Sequence, residues 1–428
     1  MKRNLAAALL PLAIVSYTSS AASVTTNFRI EAKANYRDSE AFATPLNLMP
    51  NTFLSTVDPG AHYEISTITV HAKTQLSENW RLLTKVDFID LYERNPTSAD
   101  KTIDLDTFAL RYGTKHANGL LPETTSYYGQ IGKFGKFERQ EDRHLESYGL
   151  VSTAFNRLED TGVEFGLDLT SGFYGKLSYT TGAPVFLRDP NALAGDNGVD
   201  LGDPNPEFSS GFGILYDAEV EDFDLSENPE FGVGIGWRWV SKNGVTRFNV
   251  LAHYNERNLA DTVDLKGTQY GGDIDLLVLE PEEFPVAVLT AAVGLPITND
   301  SKEERGLTVW LYHDSFALFA QYVDQDLAGL ERDGWELELS YSFAKVLGLK
   351  SITPVVRYST LRPNFAADPL YLAPSVSWDW DKIDYGINFD FNNNVKLTME
   401  HADNEFIRGG NTESYGETLL TLYIKYDF

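Results

Sequence analysis

Read two residues at a time, the stretch 417–428 (ETLLTLYIKYDF) separates into two faces. Thr418, Leu420, Leu422, Ile424, Tyr426 and Phe428 lie on one, and Glu417, Thr421, Lys425 and Asp427 on the other, with Leu419 and Tyr423 as exceptions. A period of two predicts a strand. The same alternation marks residues 27–37, where Phe28, Ile30, Ala32, Ala34 and Tyr36 interleave with Arg29, Glu31, Lys33, Asn35 and Arg37. It recurs at 63–76, 81–88, 103–112, 125–134, 160–169, 173–181, 230–241, 245–255, 267–279, 285–295, 306–313, 316–324, 333–342, 351–360, 381–390 and 395–404. Thr170-Ser171-Gly172 and Lys242-Asn243-Gly244 read as tight hairpin turns, the Asn-Gly pair fitting a primed turn. Pro354 weakens the segment that holds it, because proline offers no N–H to a ladder. A half-buried strand of a soluble sandwich alternates in the same way, so no single segment separates the two architectures.

The number of segments and the lengths of the links do separate them. Short links follow 76, 169, 241, 279, 313, 342 and 390, and long ones follow 37, 90, 134, 181, 255, 295, 324, 360 and 404. Only the link 113–124 breaks this parity. Residues 209–220 read as another strand, yet counting it places Lys242-Asn243-Gly244 on the long-loop side, so it is assigned to a loop spanning 182–229. The chain is therefore expected to be all-β: a transmembrane antiparallel up-and-down β-barrel of about 18 strands, with 16 as the alternative, short periplasmic turns and long extracellular loops. Trp80, Tyr112, Tyr179, Trp237, Trp239, Trp335, Tyr341 and Tyr426 stand near segment ends. That is where Trp and Tyr sit at a membrane–water boundary.

The final strand with its terminal aromatic resembles the closing strand of bacterial outer-membrane β-barrels. Residues 23–428 as a whole resemble a bacterial outer-membrane porin. The resemblance lies in architecture and end signals, so it implies a passive channel for small hydrophilic solutes or ions without naming the solute. It implies a Gram-negative outer membrane as the location, outer-membrane lipids and lipopolysaccharide as partners, and a homotrimer or a monomer as the assembly.

The N-terminus agrees. Lys2 and Arg3 precede an apolar run over 5–15 and then small residues, with Ser20 and Ala22 placed for cleavage before Ser23. Residues 1–22 are thus expected to be a secretory signal peptide, leaving 23–428 as a single barrel. The apolar run is too short to span a bilayer, which takes about 20 apolar residues. The chain has no Cys, which removes disulfides and thiolate chemistry. Loss of Lys2 and Arg3 takes the formal net charge from −27 to about −29. So acidic a chain is not expected to bind nucleic acid, which needs clustered Lys and Arg. No cofactor or metal is implied.

An 18- or 16-stranded barrel encloses an aqueous channel, and charges at its narrowest point set selectivity. In porins a loop folded into the barrel commonly forms that point. The candidate here is 135–159, whose Lys136, Arg139, Glu141, Asp142, Arg143 and Arg157 are the expected constriction residues. On the lumen side of the strands, Arg29, Lys33, Lys73, Arg81, Lys85 and Arg111 form a basic group. Asp273 and Asp275 are expected to face it from the tenth strand, giving a field across the pore. The loop 182–229 is acidic but lacks the spaced ligand set of a calcium loop. An enzyme is not expected, because the seven His fall in no local catalytic motif. A substrate-selective channel and a polysaccharide exporter are the remaining alternatives.

Overall fold

The computed structural model describes residues 24–40, 43–45, 53–55, 60–89, 103–116, 120–140, 143–155, 159–182, 228–258, 266–269, 272–275, 298–299, 301–366, 377–408 and 410–428. Residues 1–22, expected to be a signal peptide, and nearly all of the acidic stretch 182–229 lie outside them. Sixteen antiparallel strands form a closed barrel. They are β1 (Thr25–Ser39), β2 (Gly60–Gln75), β3 (Trp80–Ile89), β4 (Ile103–Gly113), β5 (Ser126–Gly135), β6 (Glu159–Asp168), β7 (Phe173–Thr180) and β8 (Glu230–Val240). The second half is β9 (Thr246–Asn258), β10 (Ser301–His313), β11 (Phe316–Leu327), β12 (Leu330–Tyr341), β13 (Ser351–Pro363), β14 (Asp379–Asp390), β15 (Val395–Arg408) and β16 (Asn411–Asp427). Each strand pairs with its neighbours in sequence. Closure comes from β1, which pairs with β2 and also with β16, from Arg29↔Asp427 to Ser39↔Glu417. The Phe428 N–H then donates to the Phe28 carbonyl at 2.9 Å. Closure matters because a sheet edge in lipid would leave backbone polar groups unpaired.

The count is the lower of the two expected values, and the difference lies between β9 and β10. These strands pair directly, from Thr246↔His313 to Asn258↔Ser301. Of the two extra segments, 267–279 holds a small separate hairpin, Lys266–Gln269 with Gly272–Asp275, and 285–295 lies outside the described residues. Period two marks a strand without saying which sheet it joins, and Gly271-Gly272 breaks the run after a few residues. Two links expected to be long are short. Ala328-Gly329 joins β11 to β12 with positive φ at both positions (58° and 88°), as a primed turn requires. Residues 409–410 join β15 to β16. These strands outrun their alternation because Leu327, Leu330, Phe406 and Tyr415 are apolar yet face inward and are buried.

Pro354 stands inside β13. Pairing of β12 with β13 stops at Ser340↔Val355 and resumes only at Phe343↔Ile352, through the short piece Phe343–Ala344. The missing N–H falls in that break.

Burial runs opposite to that of a water-soluble protein. Glu164, Asp168, Glu230, Arg238 and Arg357 are buried, whereas Phe165, Leu167, Phe173, Phe231 and Ile235 are exposed. Apolar side chains point outward around the ring, as lipid demands. Paired aromatics mark both rims. Trp80 and Tyr112 (5.1 Å between centroids) and Tyr426 and Phe428 (4.8 Å) lie at the short-turn rim; Tyr36 and Tyr63 (4.9 Å) and Trp335 and Tyr358 (5.1 Å) lie toward the other.

Candidate functional site

The segment between β5 and β6 crosses the lumen. Its root is set by a row of glycines. In β8, Gly232, Gly234 and Gly236 alternate with outward Phe231, Val233 and Ile235, so an inner strip of wall carries no side chains. Phe137 and Tyr174 occupy that strip. A Cβ on Gly234 would lie 2.8 Å from the Phe137 ring, and one on Gly236 would strike the Tyr174 ring. Beside them, Lys136 binds Glu230 and lies 3.7 Å from Asp160. Burial opposes its charge, but Glu230, Asp160 and Glu138 outweigh that and hold the ammonium above the ordinary lysine range. Arg139 pairs with Glu159.

The tip docks on β12–β15. Helix α1 (Leu150–Ala154) packs against β12, β13 and β14. In a ring of sixteen, β13 stands opposite β5, so the segment reaches from one wall to the other. Leu150, Val151 and Phe155 join Val323, Leu361, Trp380 and Phe406 in an apolar cluster inside the barrel. Polar contacts fix the rest. Glu400 accepts from the N–H groups of Glu146 (2.8 Å) and Ser147 (2.7 Å). Lys382 donates to the Tyr148 carbonyl at 2.5 Å, and His144 Nδ1 lies 2.8 Å from Glu338. Arg357 is the centre of this wall. It binds Asp384 at 2.9 Å, lies 3.8 Å from Glu338, and donates to the carbonyl and Oγ of Ser147 at 3.0 and 2.9 Å. Gly149 rests directly on Glu336, where any Cβ would meet the carboxylate. The acids of this wall, Glu336, Glu338, Asp384, Glu400 and Glu417, are all buried.

Among the described residues, an open cavity of about 730 Å³ lies on the β1–β5 side. Lys33, Lys85, Arg111, Lys115, Lys136, Arg139, Arg143 and Lys396 line it, against Glu31, Asp106 and Glu146. Glu146 binds Lys33 at 2.5 Å. Burial alone would raise its pKa, but Lys33, Arg143 and Lys396 outweigh burial and hold the carboxyl below its ordinary range. The Arg143 guanidinium lies 3.9 Å over the Tyr148 ring and, against burial, draws the phenol pKa down.

Of the expected constriction residues, Lys136, Arg139 and Arg143 border the cavity. Glu141, Asp142 and Arg157 lie outside the described residues. Among the expected lumen charges, Lys33, Lys85 and Arg111 line the cavity. Arg29 pairs with Asp427 at 2.6 Å near the rim, Arg81 donates to Gln75 at 2.9 Å, and Lys73 is exposed. Asp273 and Asp275 are a correction: they sit on the separate hairpin and not on a barrel strand, because β9 pairs directly with β10. Acids do face the bases, but from β12–β15. Glu336 and Glu338 alternate on one strand, so period two exposes that wall. Lys396 follows the same rule on β15, whereas Lys115 lies in a link with no periodicity to reveal it.

No protein-family model matches this chain, and no curated protein matches it in sequence. Solved structures do match in fold. OprB of Pseudomonas putida aligns at TM-score 0.51 with 11% identity over 95% of this chain and 94% of that one. The outer membrane channel DcaP of Acinetobacter baumannii aligns at 0.50 with 10% identity over 96% and 99%. A loop-L8 deletion mutant of OmpT, an outer membrane protein of Vibrio cholerae, aligns at 0.50 with 11% identity over 94% and 99%. At such identities the likeness is one of fold, and the fold is the closed barrel of outer-membrane proteins.

Proposed function

We propose that this chain is an outer-membrane porin, a passive diffusion channel for small hydrophilic solutes, exported by its N-terminal signal peptide. The observation that carries the proposal is the inside-out alternation of a closed sixteen-stranded barrel. An apolar exterior suits lipid and lipopolysaccharide, and a charged interior suits water. The segment crossing the lumen acts as the constriction, with Lys136, Arg139 and Arg143 at its edge and Glu141, Asp142 and Arg157 in the same segment. An exporter of polysaccharide needs an unobstructed bore, and the docked segment argues for small solutes instead. Nothing in this reading requires catalysis: the charges are paired for structure or turned to the path.

Swelling of liposomes that contain the purified protein tests this. Sugars of monosaccharide size should enter and large dextrans should not. Equal exclusion of every solute from liposomes holding folded, heat-modifiable protein would contradict it.

A further inference from the structure

A chain with a formal net charge of −27 would be expected to admit cations. The interior points the other way. On the open side of the lumen, ion pairs are layered, with the base in front and the acid behind. Lys85 is 28% exposed and its partner Asp87 8%; Lys115 13% and Glu164 0%; Arg139 32% and Glu159 11%. Each pair is a dipole with its positive end toward the water. On the far side the segment 143–155 covers the acids. Arg357 and Asp384 are both 0% exposed, and Glu336, Glu338 and Glu400 are buried with them. The inward segment therefore does more than narrow the bore. It screens the acidic half of the wall and leaves the basic half in contact with solvent.

Within that basic half the chain's own Glu146 carboxylate is held by Lys33 at 2.5 Å, with Arg143 and Lys396 as its further cationic neighbours. All four side chains border the cavity. We infer that this channel prefers small anions, carboxylates and inorganic phosphate among them, and that Lys33, Arg143 and Lys396 around Glu146 are its selectivity site. The inference rests on the channel reading and adds the class of solute. Fixed charges close to the path act on ions in a water-like dielectric. One charge at about 4 Å is worth about 1 kcal/mol, or roughly a fivefold change in an ion's local concentration. Such charges outrank the chain's distant acids, which salt screens beyond a Debye length of about 10 Å.

The test is the reversal potential of the full mature protein in a neutral-lipid bilayer under a KCl gradient. The expected sign is that of chloride permeating better than potassium. Glu146→Gln should increase the chloride preference by about two- to fivefold, and Lys33→Gln with Lys396→Gln should reduce it by a similar or larger factor. Replacing chloride with phosphate in wild type should retain the anionic sign. Open channels that reverse on the potassium side would overturn the inference and leave the channel reading intact. So would variants that fold, conduct and keep the wild-type ratio. Folded protein that never conducts would overturn the channel reading, and this inference with it. If the variants fail to assemble, the sign measured on wild type still decides.

Discussion

Arg357→Gln should release the tip of the inward segment while leaving the barrel closed. Arg357 is fully buried and joins three things: the wall acid Asp384 at 2.9 Å, the wall acid Glu338 at 3.8 Å, and the Ser147 carbonyl and hydroxyl at 3.0 and 2.9 Å. Removing one partner of a buried pair costs about 3–5 kcal/mol. Part of that cost falls on the wall whether the segment is docked or not. The share that depends on docking is the pair of charge-assisted bonds to Ser147, each worth about 1.5–3 kcal/mol. The docked state should thus lose about 3–6 kcal/mol, which raises the undocked fraction by roughly a hundredfold or more. The assay exploits the absence of Cys. Val151 is 0% exposed on α1, so Val151→Cys should react with a water-soluble maleimide only when the tip lifts. Its labelling rate then reports the undocked fraction. Adding Arg357→Gln should speed labelling about a hundredfold, with heat-modifiability of the barrel retained. An unchanged rate in a folded barrel would refute the assignment of Arg357 as the latch.

Three other outcomes follow from the same geometry. Gly149→Val should lift the tip as well, because its side chain has to enter the space of the Glu336 carboxylate; the Val151→Cys labelling rate measures it. Lys136→Met should strip Glu230 and Asp160 of a shared buried cation and destabilise the barrel by about 3–5 kcal/mol, seen as a lower temperature for its mobility shift on gels. The third concerns pH. Glu146 has a folded-state pKa below its ordinary value of 4.5, because Lys33 and Arg143 outweigh burial. Its stabilising pair with Lys33 is therefore present above the unfolded carboxylate range and is lost only as pH falls through the depressed folded value. The difference in chloride preference between wild type and Glu146→Gln should stay constant from pH 7 to about pH 5 and vanish under stronger acid, when Glu146 is neutralised; a difference that vanishes above pH 5 would contradict the pairing.

The barrel was legible because lipid outside and water inside impose strict alternation, and period two survives in a bare sequence. It failed where strands β11, β12, β15 and β16 carry inward, buried Leu327, Leu330, Phe406 and Tyr415: Phe406 and Tyr415 serve the apolar cluster under α1, which local periodicity cannot foresee. It also failed at 267–279, where a short hairpin has the alternation of a barrel strand. The cations of the candidate site were legible strand by strand, as Lys33, Lys85 and Arg111 show. Their effect was not, because it depends on which acids the inward segment hides. Gly149 against Glu336 and Ser147 against Arg357 are contacts across the full width of the lumen. Gly232, Gly234 and Gly236 of β8 went unread, because their occupant Phe137 lies almost a hundred residues earlier.

Single-channel recording of purified, heat-modifiable protein in a planar bilayer tests most directly whether the barrel is an open channel. Discrete, long-lived, ion-conducting steps are expected, through a lumen that the segment between β5 and β6 narrows without closing. Folded protein that inserts into the bilayer and passes no current would contradict it.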